Sequence, residues 1–193
     1  MLKVGLTGGI GSGKTTVSLI FKTIGIPVFC ADDEAKKMYA NNEVQQQIIE
    51  IFGKQIYVNN EVDKKLLATK IFNDKALLNK VNNIIHPAVH KHFELWLKTQ
   101  KSVYIIHEAA ILFESGFDKF MDKTITVSAP QDVRIQRVID RDSSSYEQVI
   151  KRMENQWSDE KCNAAADFVI KNYANIPILQ QVLDIHEKII NLE

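Results

Sequence analysis

Residues 8–15 read Gly8-Gly9-Ile10-Gly11-Ser12-Gly13-Lys14-Thr15, and no other stretch constrains the chain as tightly. They match the phosphate-binding loop G-x-x-x-x-G-K-[ST], with Gly8, Gly13, Lys14 and Thr15 in its fixed positions. Such a loop needs a strand before it and a helix after it. Leu2-Lys3-Val4-Gly5-Leu6 reads as a buried strand, and the apolar spacing from Thr16 to Phe21 reads as a helix. The four glycines remove the Cβ atoms that would keep the backbone away from a polyphosphate. Loop N–H groups then converge on phosphate oxygens at the positive end of the helix. Lys14 supplies a full charge for the β- and γ-phosphates, and the Thr15 hydroxyl is placed to ligate Mg²⁺. The pattern implies a nucleoside triphosphate but leaves the fate of its γ-phosphate open.

A chain of 193 residues suggests one domain with room for an inserted subdomain. Its 45% hydrophobic and 25% charged residues suit a globule with a real core. Formal net charge is zero and no run of Lys or Arg forms a stripe, which argues against nucleic acid as a partner. A small anionic substrate needs only a local cluster of arginines. No apolar run has the length of a membrane span, and a strand starts too early to leave room for a signal peptide. The expectation is a cytoplasmic protein with no membrane partner. Cys30 and Cys162 lie far apart and read as free thiols.

Taken in order, the first helix runs from about Lys14 to Ile24 and stops at Gly25. Val28-Phe29-Cys30 is a short strand that ends at Ala31-Asp32-Asp33, before a helix over residues 34–39. Asp32 has two readings here, a helix N-cap or a functional acid at the carboxyl end of a strand, where α/β sheets bind ligands. Residues 41–100 carry no strong strand. Helices are expected over 43–52, 64–72, 75–85 and 88–97, with Pro87 in the first turn of the last. This block reads as a helical insertion that covers the active edge of the sheet. His86, His90 and His92 read as surface or helix-end residues, because no Cys or paired carboxylate completes a metal set.

Val103–His107 is the next strand, and it delivers Glu108 to the place where such enzymes often carry a second Mg²⁺-holding acid. A solvated strand-end acid is the plain alternative. Lys123–Ser128 is a fourth strand. Asp132 is expected to cap a helix bearing Arg134, Arg137 and Arg141. After a polar loop, Ser145 and Gln148 form a capping box that opens a helix over 146–157 with Lys151 and Arg152. Each arginine alone fits a solvated face; together, after a phosphate loop, they fit a lid. Ala166–Ile170 is a fifth strand with Asn172 at its end, and an amphipathic helix over 177–191 closes the chain.

The fold expected is therefore α/β: a P-loop NTPase/kinase core with a five-stranded parallel sheet, helices on both faces, a helical substrate-binding insertion and a helical lid. The core covers 1–31 and 101–193, with the lid at about 138–157, and the insertion covers 32–100. A donor cradle, a strand-end acid and a set of closing cations suit a kinase for a small molecule. No N-K-x-D stretch supports a GTPase. A non-catalytic ATP-dependent switch needs neither the acid nor the clamp.

These residues, in this order, resemble the dephospho-CoA kinase family over nearly the whole chain. Gly5–Thr15 resembles the family's opening, and Ile85-His86-Pro87 its His-Pro in the helical region. Ile111-Leu112-Phe113-Glu114 resembles its Leu-Leu-Phe-Glu. Arg137, Arg141-Asp142, Arg152 with Gln156, and Ala166–Ile170 with Asn172 resemble its lid and last strand. The resemblance implies ATP-dependent phosphorylation of the ribose 3′-hydroxyl of dephospho-CoA, with Mg²⁺, by a monomer or weak homo-oligomer. It implies that Asp32 is the base and that Lys14 and Arg137 neutralise the transferring phosphate. It places ATP against Gly11, Ser12, Gly13, Lys14, Thr15, Thr16, Arg141 and Asn172, metal at Thr15 and Glu108, and the acceptor against Asp32, His86 and Arg152. Three departures stand out. Cys30 replaces the first acid of the family's Asp-Ala-Asp, Glu108 is one methylene longer than the family's Asp, and Arg134 replaces a Gln and adds local positive charge.

Overall fold

Strand formation follows the apolar runs, and their parallel pairing puts the phosphate loop at the middle of a sheet. The structure, a computed structural model, describes residues 1–71, 74–174 and 176–192. The chain begins with β1 (Leu2–Thr7), α1 (Lys14–Thr23) and β2 (Val28–Cys30). The helical stretch holds α2 (Ala31–Met38), α3 (Asn42–Phe52), β3 (Tyr57–Val58), β4 (Glu61–Val62), α4 (Lys64–Ile71) and α5 (Lys75–Leu97). Then come β5 (Tyr104–Glu108), β6 (Lys123–Ser128), α6 (Gln131–Asp142), α7 (Tyr146–Met153), α8 (Asp159–Ala165), β7 (Phe168–Lys171) and α9 (Ile178–Ile190). The contacts divide the chain into two compact units, 1–30 with 101–193, and 31–100.

In the first unit the sheet order is β2-β5-β1-β6-β7, and every pairing is parallel. Alternation along the strands separates two faces. Val4, Leu6, Tyr104, Ile106, Ile125, Val127 and Ile170 point into a core closed by Val17 and Phe21 of α1 and Val182, Ile185 and Ile189 of α9. The other face carries Thr124, Thr126 and Ser128 of β6, and α8 reaches it through Asp159 and Asn163 on Ser128. There His107 stacks between Phe29 and Phe117, at centroid distances of 5.5 and 4.6 Å. At the start of β7, Asp167 accepts from the Thr124 N–H at 2.8 Å and from its hydroxyl at 2.9 Å, which fixes the register of this edge strand.

Several local expectations are revised. The expected helix over 146–157 ends at Met153, and residues 159–165 form the separate α8, capped by Ser158 on the Lys161 N–H. The cap of α6 is Pro130, so Asp132 lies in its first turn. The last residue of the expected helix 64–72 lies outside the described residues, and α4 is described to Ile71.

The second unit contains a two-residue hairpin that apolar periodicity missed. Asn59 and Asn60 connect β3 to β4 with φ of 51° and 64°, the pair of positive values that a tight antiparallel turn needs and that Asn tolerates. The larger revision is α5. Two helices were expected on either side of Pro87, but one helix of 23 residues passes through it. Proline removes one helical N–H and crowds the preceding turn. Here Val81, Ile85, Val89 and Phe93 continue one buried stripe at four-residue spacing across the proline. Packing of that stripe outweighs the local penalty. Pro87 itself is exposed. Pro87→Ala therefore restores a hydrogen bond without disturbing the core, and it should raise stability by about 1–3 kcal/mol, measured as a higher urea midpoint at unchanged slope.

Candidate nucleotide-binding site

A loop with four glycines has few side chains with which to hold itself, so its shape depends on neighbours. The structure shows what the missing Cβ atoms make room for. A Cβ on Gly8 would overlap the Val127 carbonyl of β6, and one on Gly11 would overlap the Arg134 carbonyl of α6. A Cβ on Gly9 would overlap Arg134 Nη1, and one on Gly13 would overlap Asn172 Nδ2. The glycines admit protein groups as well as a ligand. Gly11 and Gly13 also have φ of 78° and 100°, which side chains disfavour.

Accounting for the loop N–H groups shows which remain for phosphate. Ser12 N–H donates to Gly9 O at 3.0 Å, and Ile10 N–H donates to Gln156 Oε1 at 2.8 Å. Thr16 and Val17 N–H both donate to Gly13 O. Among the described residues, the N–H groups of Gly11, Gly13 and Thr15 have no internal acceptor. They stand at the N-terminus of α1, which carries no acid in its first turn. A helix start of this kind attracts anions.

Lys14 Nζ donates to Gly8 O at 2.8 Å, so the ammonium lies along the loop. Arg137, from α6, donates through Nη1 to Gly11 O at 3.4 Å and through Nη2 to Asn172 O at 3.2 Å. Asn172 Nδ2 in turn donates to Ser12 O at 2.7 Å. Lys14, Arg137, Asn172 and Gly11–Gly13 thus form one connected cluster. The Ser12 side chain faces inward: it is fully buried, and its Oγ has no partner among the described residues.

Thr15 and Thr16 are exposed at the start of α1. Glu108 ends β5, paired with Leu6 of β1 and Cys30 of β2, and its Oε2 accepts from Ser18 Oγ at 3.3 Å. Ser18 lies one turn beyond Lys14 and is buried, so α1 positions the carboxylate as well as the loop. The Thr15 hydroxyl and the Glu108 carboxylate are few, hard oxygen donors. That chemistry suits Mg²⁺, which keeps waters and takes its remaining ligands from phosphate.

The arginines expected in a lid behave differently. Asp142 accepts from Arg141 Nε at 2.7 Å and Nη2 at 3.0 Å, and from Arg152 Nη1 at 3.0 Å. These guanidiniums, Arg141 foremost, hold its carboxyl well below the usual carboxylate range. The pairing joins α6 to α7 across the polar loop 143–145. Arg141 and Arg152 are about half exposed, so the pairs add little to stability. The positive charge expected from Arg134 is neutralised: its Nη2 lies 3.2 Å from Asp159 Oδ1, and both side chains are largely buried.

Asp32 and His86 belong to the helical unit. The helix of Asp32 already starts at Ala31, so Asp32 is an exposed first-turn residue with Asp33 and Glu34 beside it, and not the cap. His86 is an exposed residue of α5, although crowding by neighbouring atoms desolvates its ring and lowers its pKa. In the same unit Glu34 of α2 lies 3.1 Å from His92 Nε2 of α5. Cys30 and Cys162 are thiols, not joined in a disulfide. Burial raises the Cys162 thiol to about 11.

Sequence reasoning gave no role to Ser18, or to Gln156 as a strut. Gln156 bridges the Ile10 N–H and the Ala110 carbonyl, the latter at 2.9 Å. Glu114 accepts from the adjacent Trp157 N–H at 2.6 Å. Gln156 follows α7, and only its pairing across 146 residues shows what it holds.

Known proteins match both the sequence and the fold. The family model for dephospho-CoA kinase matches residues 2–177. The dephospho-CoA kinase of Bacteroides fragilis strain YCH46 is 39% identical over 186 residues, which cover 95% of this chain and 91% of the relative. A Thermus thermophilus protein of solved structure superposes with a TM-score of 0.88 at 28% identity, covering 97% of this chain and 96% of that one. The dephospho-CoA kinase from Campylobacter jejuni superposes with a TM-score of 0.70 at 25% identity, covering 98% and 97%. With a phosphate loop at the head of a parallel sheet and a family match that spans most of its length, the chain belongs to the dephospho-CoA kinase family.

Proposed function

We propose that this chain transfers the γ-phosphoryl group of ATP to the ribose 3′-hydroxyl of dephospho-CoA, giving coenzyme A and ADP, the last step of coenzyme A synthesis. The observation that carries this reading is the family match over residues 2–177, which includes the loop, the helical unit and the last strand. The loop cluster supports it, since unspent N–H groups, a lysine and an arginine converge there at one helix start.

The roles follow from charge and position. Gly11, Ser12, Gly13, Lys14, Thr15 and Thr16 receive the ATP phosphates, and Asn172 keeps the loop in place beside them. Lys14 and Arg137 offset the charge that develops as the phosphoryl group moves. Thr15 and Glu108 hold Mg²⁺, which when bound neutralises part of the polyphosphate charge. Asp32 accepts the proton of the attacking hydroxyl. Arg141 or Arg152 exchanges Asp142 for substrate phosphate as the lid closes, and His86 and Arg152 help to hold the acceptor. The reading carries with it a cytoplasmic monomer or weak homo-oligomer with a small-molecule substrate and no nucleic acid. Among the described residues no helix is long and apolar enough to cross a membrane.

Purified protein incubated with ATP, Mg²⁺ and dephospho-CoA should release ADP and yield a product one phosphoryl group heavier, with the group on the 3′-oxygen. Transfer to other acceptors but not to this one would overturn the substrate assignment. Asp32→Asn should lower kcat at least about a hundredfold at unchanged ATP affinity, and near-normal turnover would remove Asp32 from the role of base. For Glu108→Gln, a titration of rate against Mg²⁺ should show a half-saturation raised by about tenfold or more. An unchanged titration would take Glu108 out of the metal site.

A further inference from the structure

Arg134 is the one Lys, Arg, Asp or Glu side chain among the described residues that is buried. A charge is not left in such a place without a partner. Its partner is Asp159 of α8, at 3.2 Å, with side-chain exposures of 8% and 17%. Asp159 is itself held, because its Oδ2 accepts from Ser128 Oγ at 3.2 Å and Asn163 Nδ2 donates to that same hydroxyl at 3.4 Å. The far end of the chain of contacts is the phosphate loop. The Arg134 guanidinium occupies the space where a Gly9 Cβ would stand, and Asp159 Oδ1 lies 3.4 Å from that point. The Arg134 carbonyl fills the corresponding space at Gly11. One residue therefore abuts the loop at two of its glycines, and α8 and β6 brace that residue from behind.

We propose that Arg134 and Asp159 form a positioning pair that holds the ligand-free phosphate loop in its binding shape and thereby sets nucleotide affinity. Neither residue touches the reacting atoms. A glycine-rich loop has unusual freedom, and ordering it during binding costs affinity. A loop already pressed against a fixed guanidinium avoids that cost. Mutual neutralisation is part of the device, since Arg134 presents a flat, rigid surface to Gly9 without drawing a phosphate away from Lys14 and Arg137. The effect on ATP rests on the kinase reading above; the effect on the loop does not.

The test uses the double variant R134Q/D159N, which removes both charges together and strands neither. Two measurements are made on ligand-free and ATP-titrated protein. Amide exchange across residues 8–13 should speed up, and the ATP Kd should rise about tenfold, with kcat within about threefold and the acceptor KM unchanged, the split expected when ground-state binding alone is lost. Ile189→Ala removes buried volume from α9, in the core on the other face of the sheet, and should lower the melting temperature while leaving the ATP Kd unchanged. Unchanged loop exchange, an ATP Kd within about twofold of wild type, or an equal loss of affinity in I189A would each overturn the proposal. If the double variant does not fold, Arg134→Lys decides, because it keeps the charge opposite Asp159 and loses the planar fork over Gly9. Faster exchange with weaker ATP binding in R134K supports the pair, and wild-type values of either overturn it. A wild-type protein that binds no ATP would sink the kinase reading, and the exchange data would still decide whether the pair holds the loop.

Discussion

The phosphate loop is held by residues that lie far from it in sequence. Val127 at the end of β6 backs Gly8, Arg134 backs Gly9 and Gly11, and Asn172 beyond β7 reaches the Ser12 carbonyl across 160 residues. Gln156 takes the Ile10 N–H. All four supports come from the part of the chain after residue 120, and they reach the loop because β6 pairs with β1 and β7 pairs with β6. The order of strands is thus the first requirement of the site. A different order would leave the same motif in place with nothing to shape it.

Within that frame the described N–H groups of the loop fall into two sets. The loop spends the N–H groups of Ile10 and Ser12 on its own supports and keeps those of Gly11, Gly13 and Thr15. Arg137 donates to two carbonyls, at Gly11 and Asn172, so its position is set by the backbone it neighbours. Arg141 and Arg152 are instead tied to the exposed carboxylate of Asp142. An exposed pair of this kind is weak enough to be exchanged for a stronger anion, whereas the buried Arg134–Asp159 pair is not. Arginines that look alike along α6 and α7 therefore differ in what they are free to do, and burial decides which is which.

Features that depend on local chemistry were legible in the sequence. The five strands follow from apolar runs, the first helix stop from Gly25, and the start of α7 from the Ser145–Gln148 capping box, which the structure contains. Features that depend on tertiary contacts were not. Pro87 looked like a helix start because its local penalty is real, but a buried stripe from Val81 to Phe93 carries the helix past it. The Asn59-Asn60 turn had a readable signal, two residues that tolerate positive φ, but strands of two residues have no periodicity to point to it. Arg134 read as one more cation near the phosphates. Only the position of Asp159, 25 residues later and on another helix, turns it into a neutral buried pair.

The supports of the loop also bear on the motif itself. Its glycines are usually explained by the ligand, since a phosphate needs close approach to the backbone. In this chain every one of the four has a protein group where its Cβ would be. A side chain at any of these positions would displace one of the loop's supports. The pattern G-x-x-x-x-G-K-[ST] is therefore a packing signature as much as a binding one. That explains why context is needed to interpret it. The residues that make the glycines necessary, Val127, Arg134 and Asn172, belong to the sheet and helices that follow, and a loop sequence without them lacks both the constraint and the shape that the constraint produces.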